Sequence, residues 1–156
     1  MNDLRLITGG FFCSIFEKQQ SHTRMTHTIC YLSSATDDLN DKELEQLFKK
    51  TQTNNLTQEV SGILLYSYGN FLQVLEGEKT KLLTLFNTIK QDQRHKNIIT
   101  IFNKQNEHCT FEGYKSGFSI IKTNTDLKNL NKYLNHNKDK APFSSSVLSL
   151  LEPFLI

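Results

Sequence analysis

A glutamine interrupts an apolar run: Phe71-Leu72-Gln73-Val74-Leu75-Glu76-Gly77. Side chains alternate along a strand, so Phe71, Gln73 and Leu75 share one face and Leu72, Val74 and Glu76 the other. The Phe71/Leu75 face is apolar enough for a core or a pocket, and it carries one primary amide. A buried amide without partners costs about 1–3 kcal/mol, so it pairs with protein, water or ligand. Three other stretches carry groups that could meet it: Tyr31-x-Ser33, Asn54-Asn55 and Asp92-x-Arg94-His95. Together they supply a phenol, amides, a carboxylate, a guanidinium and an imidazole. Each also has an ordinary structural reading. Gln73 can be a core amide bonded to backbone, Tyr31 a core tyrosine, Asn54-Asn55 a turn, and Asp92/Arg94/His95 a solvated helix end. There is no nucleophile elbow and no Gly-rich phosphate loop. The five His lack ligand spacing such as HxxxH and the three Cys form no CxxC, so no metal site is expected.

The positions of these residues depend on the elements around them. At 156 residues the chain has room for one real core but hardly for two. With 37% hydrophobic and 22% charged residues and 2 Pro, neither disorder nor a fibrous class is indicated. The net charge is +2 with interleaved signs, and no Lys/Arg stripe with aromatics marks a nucleic-acid surface. Cys13, Cys30 and Cys109 are odd in number and widely spaced, which suits thiols in a reducing compartment. No apolar run approaches the roughly 20 residues of a membrane span, and the N-terminus lacks a signal-peptide pattern. A cytoplasmic location is expected. Residues 1–25 read as an extension, disordered or non-native, with Met25 as the natural start.

From residue 26 the pattern is orderly. Thr28 to Ser33 reads as a strand. A helix follows, with Asn40 as N-cap, Glu43 reaching back, Leu39 and Leu44 as a staple, and Leu44, Leu47 and Phe48 as its apolar stripe. Lys49-Lys50 suit its C-terminal end, and Thr51 to Gln58 reads as a polar loop. Val60–Tyr66 and Phe71–Glu76 form a hairpin turning at Gly69-Asn70. A second helix begins near Thr80, with Leu82, Leu85, Phe86 and Ile89 on one side. Ile98–Phe102 and about Tyr114–Ile121 read as further strands. The order β-α-β-β-α-β, plus one β, predicts an α+β ferredoxin-like sandwich over 26–121. There the first strand lies in the middle, beside the strand of Gln73. Residues 122–156 form a C-terminal helical segment, with Leu127/Leu130/Tyr133/Leu134 and Val147/Leu148/Leu150/Leu151 as apolar faces that must cover the domain or a partner.

In order along the chain, Tyr31-x-Ser33, Asn54-Asn55, Ser61-Gly62-Ile63-Leu64, the Phe71–Gly77 run and Asp92-x-Arg94-His95 resemble the BLUF family of flavin-based blue-light sensors. The likeness runs from about Thr28 to Phe118, and the FLQVLEG-type and DxRH-type motifs are specific in combination. It implies FAD held non-covalently between the two helices with its ring against the sheet. Tyr31 and Gln73 would be the photoactive pair, Asn54 and Asn55 would hold the polar edge of the ring, and Asp92, Arg94 and His95 would stand near the ring and ribityl chain. Leu47 and Ile89 would be walls. The flavin ring is a flat apolar body with a hydrogen-bonding rim, which matches such walls and amides. On excitation Tyr31 would give up an electron and a proton, and their return would leave Gln73 with rearranged hydrogen bonds. No substrate is consumed, so no enzyme activity is expected.

One segment departs from the family's pattern. Tyr114 and Ser116 stand where the family commonly has Trp and Met, at positions implicated in signal output and expected on the final strand; the chain has no Trp. Too little chain follows Ile120 for an effector enzyme, so a short, stand-alone member is expected. It would signal through the C-terminal helices to a downstream protein partner such as a transcriptional or signalling regulator, with homo-oligomers compatible. The alternative is a ferredoxin-like module for a small ligand or protein without photochemistry. An acylphosphatase-like hydrolase is disfavoured because the Ser33–Asp38 loop is acidic and lacks Gly. A flavin redox enzyme would need a substrate face and a second electron donor.

Overall fold

The computed structural model describes residues 25–141 and 143–155; apart from Met25, the expected N-terminal extension lies outside them. The elements follow as β1 (Thr26–Ala35), α1 (Asp41–Thr57), β2 (Ser61–Ser67), β3 (Asn70–Gly77), α2 (Lys79–Gln91), β4 (His95–Asn106), β5 (Phe118–Ile121), α3 (Asn124–Asn137) and α4 (Ser144–Leu151). One sheet runs β4-β1-β3-β2-β5. Its first four strands are antiparallel neighbours, and β5 adds parallel to β2. This is the expected ferredoxin-like arrangement with one extra strand, and β1 lies beside β3.

Strand alternation gives the sheet two different faces. Ile29, Tyr31, Leu64, Phe71 and Leu75 join a core with Phe48 of α1 and with Leu82 and Phe86 of α2. Cys30, Ile63, Leu65, Leu72 and Val74 join the other core, with Leu127, Leu130 and Leu134 of α3 and Val147 and Leu151 of α4. The apolar faces of the two C-terminal helices therefore cover the sheet.

α1 begins with the expected capping box: the Asn40 side chain accepts from the Glu43 N–H at 3.0 Å, and the Glu43 carboxylate accepts from the Asn40 N–H at 3.0 Å. It ends later than expected. Thr51 to Thr57 is helical, so Lys49-Lys50 lie mid-helix and Asn54-Asn55 lie in the last turns. The penalty for polar residues in a helix is at most about 0.7 kcal/mol each. Closing the Val60 N–H onto the Asn55 carbonyl at 2.8 Å helps to offset it. The hairpin turn also shifts by one residue. Tyr68 (φ 48°) and Gly69 (φ 77°) occupy the two left-handed positions, and Asn70 already pairs with Ser67.

Gly62 is a geometric requirement. Its φ is 141°, and a Cβ there would sit 1.9 Å from the Val74 carbonyl oxygen on the neighbouring strand. Gly62→Ala is expected to destabilise by more than ~3 kcal/mol, read as a lowered denaturant midpoint. A midpoint equal to wild type would contradict this account of the β2–β3 contact.

Candidate functional site

The antiparallel register of β1 on β3 places Tyr31 directly opposite Gln73. Both are 3% exposed. The Tyr31 hydroxyl donates a close hydrogen bond to Gln73 Oε1, leaving the amide nitrogen for another partner. Phe86 of α2 backs the Tyr31 ring at 5.3 Å between centroids, and the His95 ring stands edge-on at 6.2 Å. Burial pushes the Tyr31 phenol well above its ordinary range, and the negative charge of Asp92 and then Cys30 push the same way.

A cavity opens between α1, α2 and the sheet, and Tyr31 and Gln73 line it. Leu47 from α1 and Ile89 from α2 form facing walls, with Leu64 and Phe71 from the sheet. Asn54 and Asn55 line it from the last turns of α1. Asn55 is 2% exposed, and its Nδ2 has no hydrogen-bond partner. A buried amide in that state costs about 1–3 kcal/mol, and Asn55 is among the residues that line the cavity.

Asp92, Arg94 and His95 complete the lining where α2 gives way to β4. Asp92 Oδ1 accepts from the Arg94 backbone N–H at 3.0 Å and from Nε at 2.9 Å, so the guanidinium is folded back over its own turn. The Arg94 hydrogen bond holds the Asp92 carboxyl below its usual range. His95 Nε2 lies 2.6 Å from the Ile89 carbonyl, which can only accept, so Nε2 carries a proton. Nδ1 then meets Ser33 Oγ at 3.0 Å. Ser33, two residues from Tyr31 on the same face, thus fixes the ring that stands beside Tyr31.

All nine residues expected around the cofactor line this single cavity. The two output candidates do not. Tyr114 and Ser116 precede β5 rather than lying on it, because Lys115 (φ 42°), Ser116 (φ 66°) and Gly117 (φ 107°) are left-handed and cannot extend a strand. Tyr114 is buried on the opposite face of the sheet, 4.6 Å from the Tyr133 ring, while Ser116 is exposed. Sequence reasoning missed Lys50 and Thr51 as lining residues because it ended α1 at Lys50. Continuing the i, i+3/i+4 row from Leu47 to Asn54 would have found them.

The profile of the BLUF family, described as sensors of blue-light using FAD, matches residues 26–117. The chain belongs to the BLUF family. Among curated relatives it is 34% identical over 77 residues to "Blue light- and temperature-regulated antirepressor BluF" of Escherichia coli (strain K12), which is 49% of this chain and 19% of that protein. It is 34% identical over 74 residues to "Photoactivated adenylate cyclase subunit beta" of Euglena longa, which is 47% of this chain and 9% of that protein. The match thus spans under a fifth of either relative. Among solved structures, Klebsiella pneumoniae BlrP1 with FMN and cyclic diGMP superposes with a TM-score of 0.64 at 26% identity, over 83% of this chain and 34% of that one. The dark-state structure of BlrB, a BLUF protein, shares the fold with a TM-score of 0.61 at 21% identity, over 84% of this chain and 97% of that one. This BLUF chain is accordingly a flavin-based blue-light photoreceptor that uses FAD. No helix among the described residues is long and apolar enough to cross a membrane.

The raised Tyr31 pKa gives an alkaline prediction. Unfolded tyrosine ionises near pH ~10, whereas the folded phenol stays protonated. Its contribution to stability is therefore complete below that value and is lost as pH rises toward the folded pKa. Folded wild-type and Tyr31→Phe proteins should titrate equal numbers of phenols up to about pH 11, followed at the tyrosinate absorption band. One additional phenol titrating in the wild type would refute the burial argument.

Proposed function

We propose that Tyr31 and Gln73 are the photoactive pair of this receptor, and that Leu47, Asn54, Asn55, Ile89, Asp92, Arg94 and His95 hold the FAD beside them. The observation that carries the reading is the buried Tyr31–Gln73 hydrogen bond on the wall of a cavity with an unpaired Asn55 amide. The residues suit a flavin. Leu47 and Ile89 offer apolar walls to its flat body, and the Asn55 Nδ2 and Gln73 amide nitrogen offer donors to its acceptor rim.

Bound FAD supplies absorption of a blue photon and an electron-accepting ring. The rest is work for the chain. Tyr31 cannot simply ionise near neutral pH, because burial raises its pKa. It can lose an electron and its hydroxyl proton together, the proton leaving along the hydrogen bond to Gln73 Oε1. When both return to Tyr31, the bookkeeping closes with no bond made and nothing consumed. Gln73 is left with a different set of hydrogen bonds, confined there by Phe71, Leu75 and the Tyr31 ring. His95, held by Ile89 and Ser33, stands edge-on to the Tyr31 ring. The described residues act as a sensor without a reaction of their own, and the signal passes by protein contact to a downstream partner, with the C-terminal helices and the Tyr114–Ser116 turn as the output region.

The test is the absorption spectrum of FAD-loaded protein in darkness and under blue light. Wild type should show a small red shift that reverses in darkness. Tyr31→Phe should keep the flavin and lose the shift; a Tyr31→Phe protein that still shifts would remove Tyr31 from the mechanism. Asn55→Ala should weaken FAD binding by roughly 10- to 100-fold, the equivalent of ~1–3 kcal/mol for one buried hydrogen bond, measured by flavin fluorescence titration. Unchanged affinity would remove Asn55 from the cofactor set.

A further inference from the structure

Three residues beyond Gln73 on the same strand, and on the opposite face, Glu76 is fully buried. No cation pairs with it among the described residues. Its carboxylate instead accepts from the backbone N–H of Thr110 at 2.8 Å and of Phe111 at 2.9 Å, with Ser61 Oγ at 3.4 Å. A buried carboxylate is costly, and burial raises its pKa against the lowering effect of those two amides. An apolar residue would pack a sheet face more cheaply, so the carboxylate is there for what it grips. What it grips is gripped again from the far side. The Thr110 carbonyl accepts from the Tyr133 hydroxyl of α3 at 2.7 Å, and the Tyr133 ring lies 6.4 Å from that of Phe111 and 4.6 Å from that of Tyr114. The Thr110–Phe111 peptide is thus a rivet between β3 and α3. It leads directly into Lys115-Ser116-Gly117, three successive residues with left-handed φ, two of which are not glycine and so carry backbone strain.

We propose that Glu76 is a positioning residue for signal output: it couples displacement of β3 at Gln73, through the Thr110–Phe111 peptide and Tyr133, to α3. This rests on the photosensor reading above and adds the route by which the flavin face of the sheet is felt on the helical face. A strand moves as a unit over three residues, so a rearrangement that shifts β3 drags the two hydrogen bonds from Thr110 and Phe111 with it. Tyr133 carries that motion into α3.

The experiment is amide hydrogen exchange of the FAD-loaded full chain, dark and lit, on wild type, Glu76→Gln and Tyr133→Phe, with the flavin spectrum recorded on the same samples. Glu76→Gln keeps the shape but presents one acceptor where two are needed; Tyr133→Phe keeps the ring stack and removes only the far hydrogen bond. Both variants should keep the reversible red shift. In wild type, light should change exchange in 110–117 and in 124–137. In each variant the change in 124–137 should fall at least two-fold. If Glu76→Gln fails to fold, Tyr133→Phe decides alone. Variants that photocycle with a wild-type change in 124–137 overturn the route, as does a photocycling wild type with no change there. A wild type without the red shift overturns the photosensor reading itself, and the route with it.

Discussion

The pairing of β1 with β3 is the constraint on which everything else hangs. Its register sets Tyr31 across from Gln73, Ile29 across from Leu75 and Leu32 across from Leu72. Side chains alternate with a period of two, so a slip of one residue would carry Tyr31 to the face packed by α3 and α4, and would carry Cys30 into the cavity. The register is held by apolar burial on both faces. On the other flank of β3 the hairpin to β2 closes at Tyr68-Gly69, and Gly62 admits a close approach where any side chain would collide with the β3 backbone. A hydrogen bond between two side chains, worth about 1 kcal/mol on its own, is thereby placed by many times that much packing.

The same constraint sorts the chain's polar groups by task. On the flavin face they are incompletely paired: Asn55 lacks a partner for Nδ2, and Tyr31 uses the Gln73 oxygen but not its nitrogen. That is the signature of a site whose hydrogen bonds are completed by a ligand. On the helical face the buried carboxylate of Glu76 has its donors supplied by backbone. Cys30, with its thiol pushed up to about 12 by burial, behaves there as a small apolar residue. Buried hydroxyls of Thr110 and Tyr114 also lack partners, so what distinguishes the first face is that its incompletely paired residues line a cavity.

Most of the site was legible in the sequence for a physical reason. Gln73 is a polar group set where apolar periodicity demands none, and such conflicts mark sites. Tyr31 and the Asp92–His95 end each have an ordinary reading and stand out only when the motifs are taken in order along the chain. The capping box of α1 was equally legible, because Asn40 and Glu43 act over three residues. The end of α1 was not. Asn54 and Asn55 have turn-forming side chains, and only the burial of Asn55 under the sheet, a long-range fact, keeps the helix going past them. The final strand was over-extended for a similar reason. Tyr114 to Ser116 has β-compatible residues, but the turn is imposed by Phe111 and Tyr114 entering the core. Glu76 was placed only on the face of its strand opposite Gln73, because nothing near it in sequence signals that Thr110 and Phe111 will turn their N–H groups toward it.

The last two of these misses fall on the helical face of the sheet. The residues proposed for sensing announce themselves because their chemistry is unusual wherever it occurs, whereas the proposed connection to α3 uses backbone amides and ordinary aromatic packing. Tyr114 illustrates the difference. Its hydroxyl is buried without a partner, and its ring is simply one of a stack with Tyr133. A light-induced signal needs no special chemistry after Gln73, only contacts that have two arrangements. Shape and strain can provide those with many residue choices, so a chain can replace an indole with a phenol, and a thioether with a hydroxyl, in its output turn and still keep the flavin face intact. The demands on Tyr31 and Gln73 are of atoms and distances. On the proposed route the demands on Thr110 to Gly117 are of position alone, and Glu76 and Tyr133 grip that segment from its two sides.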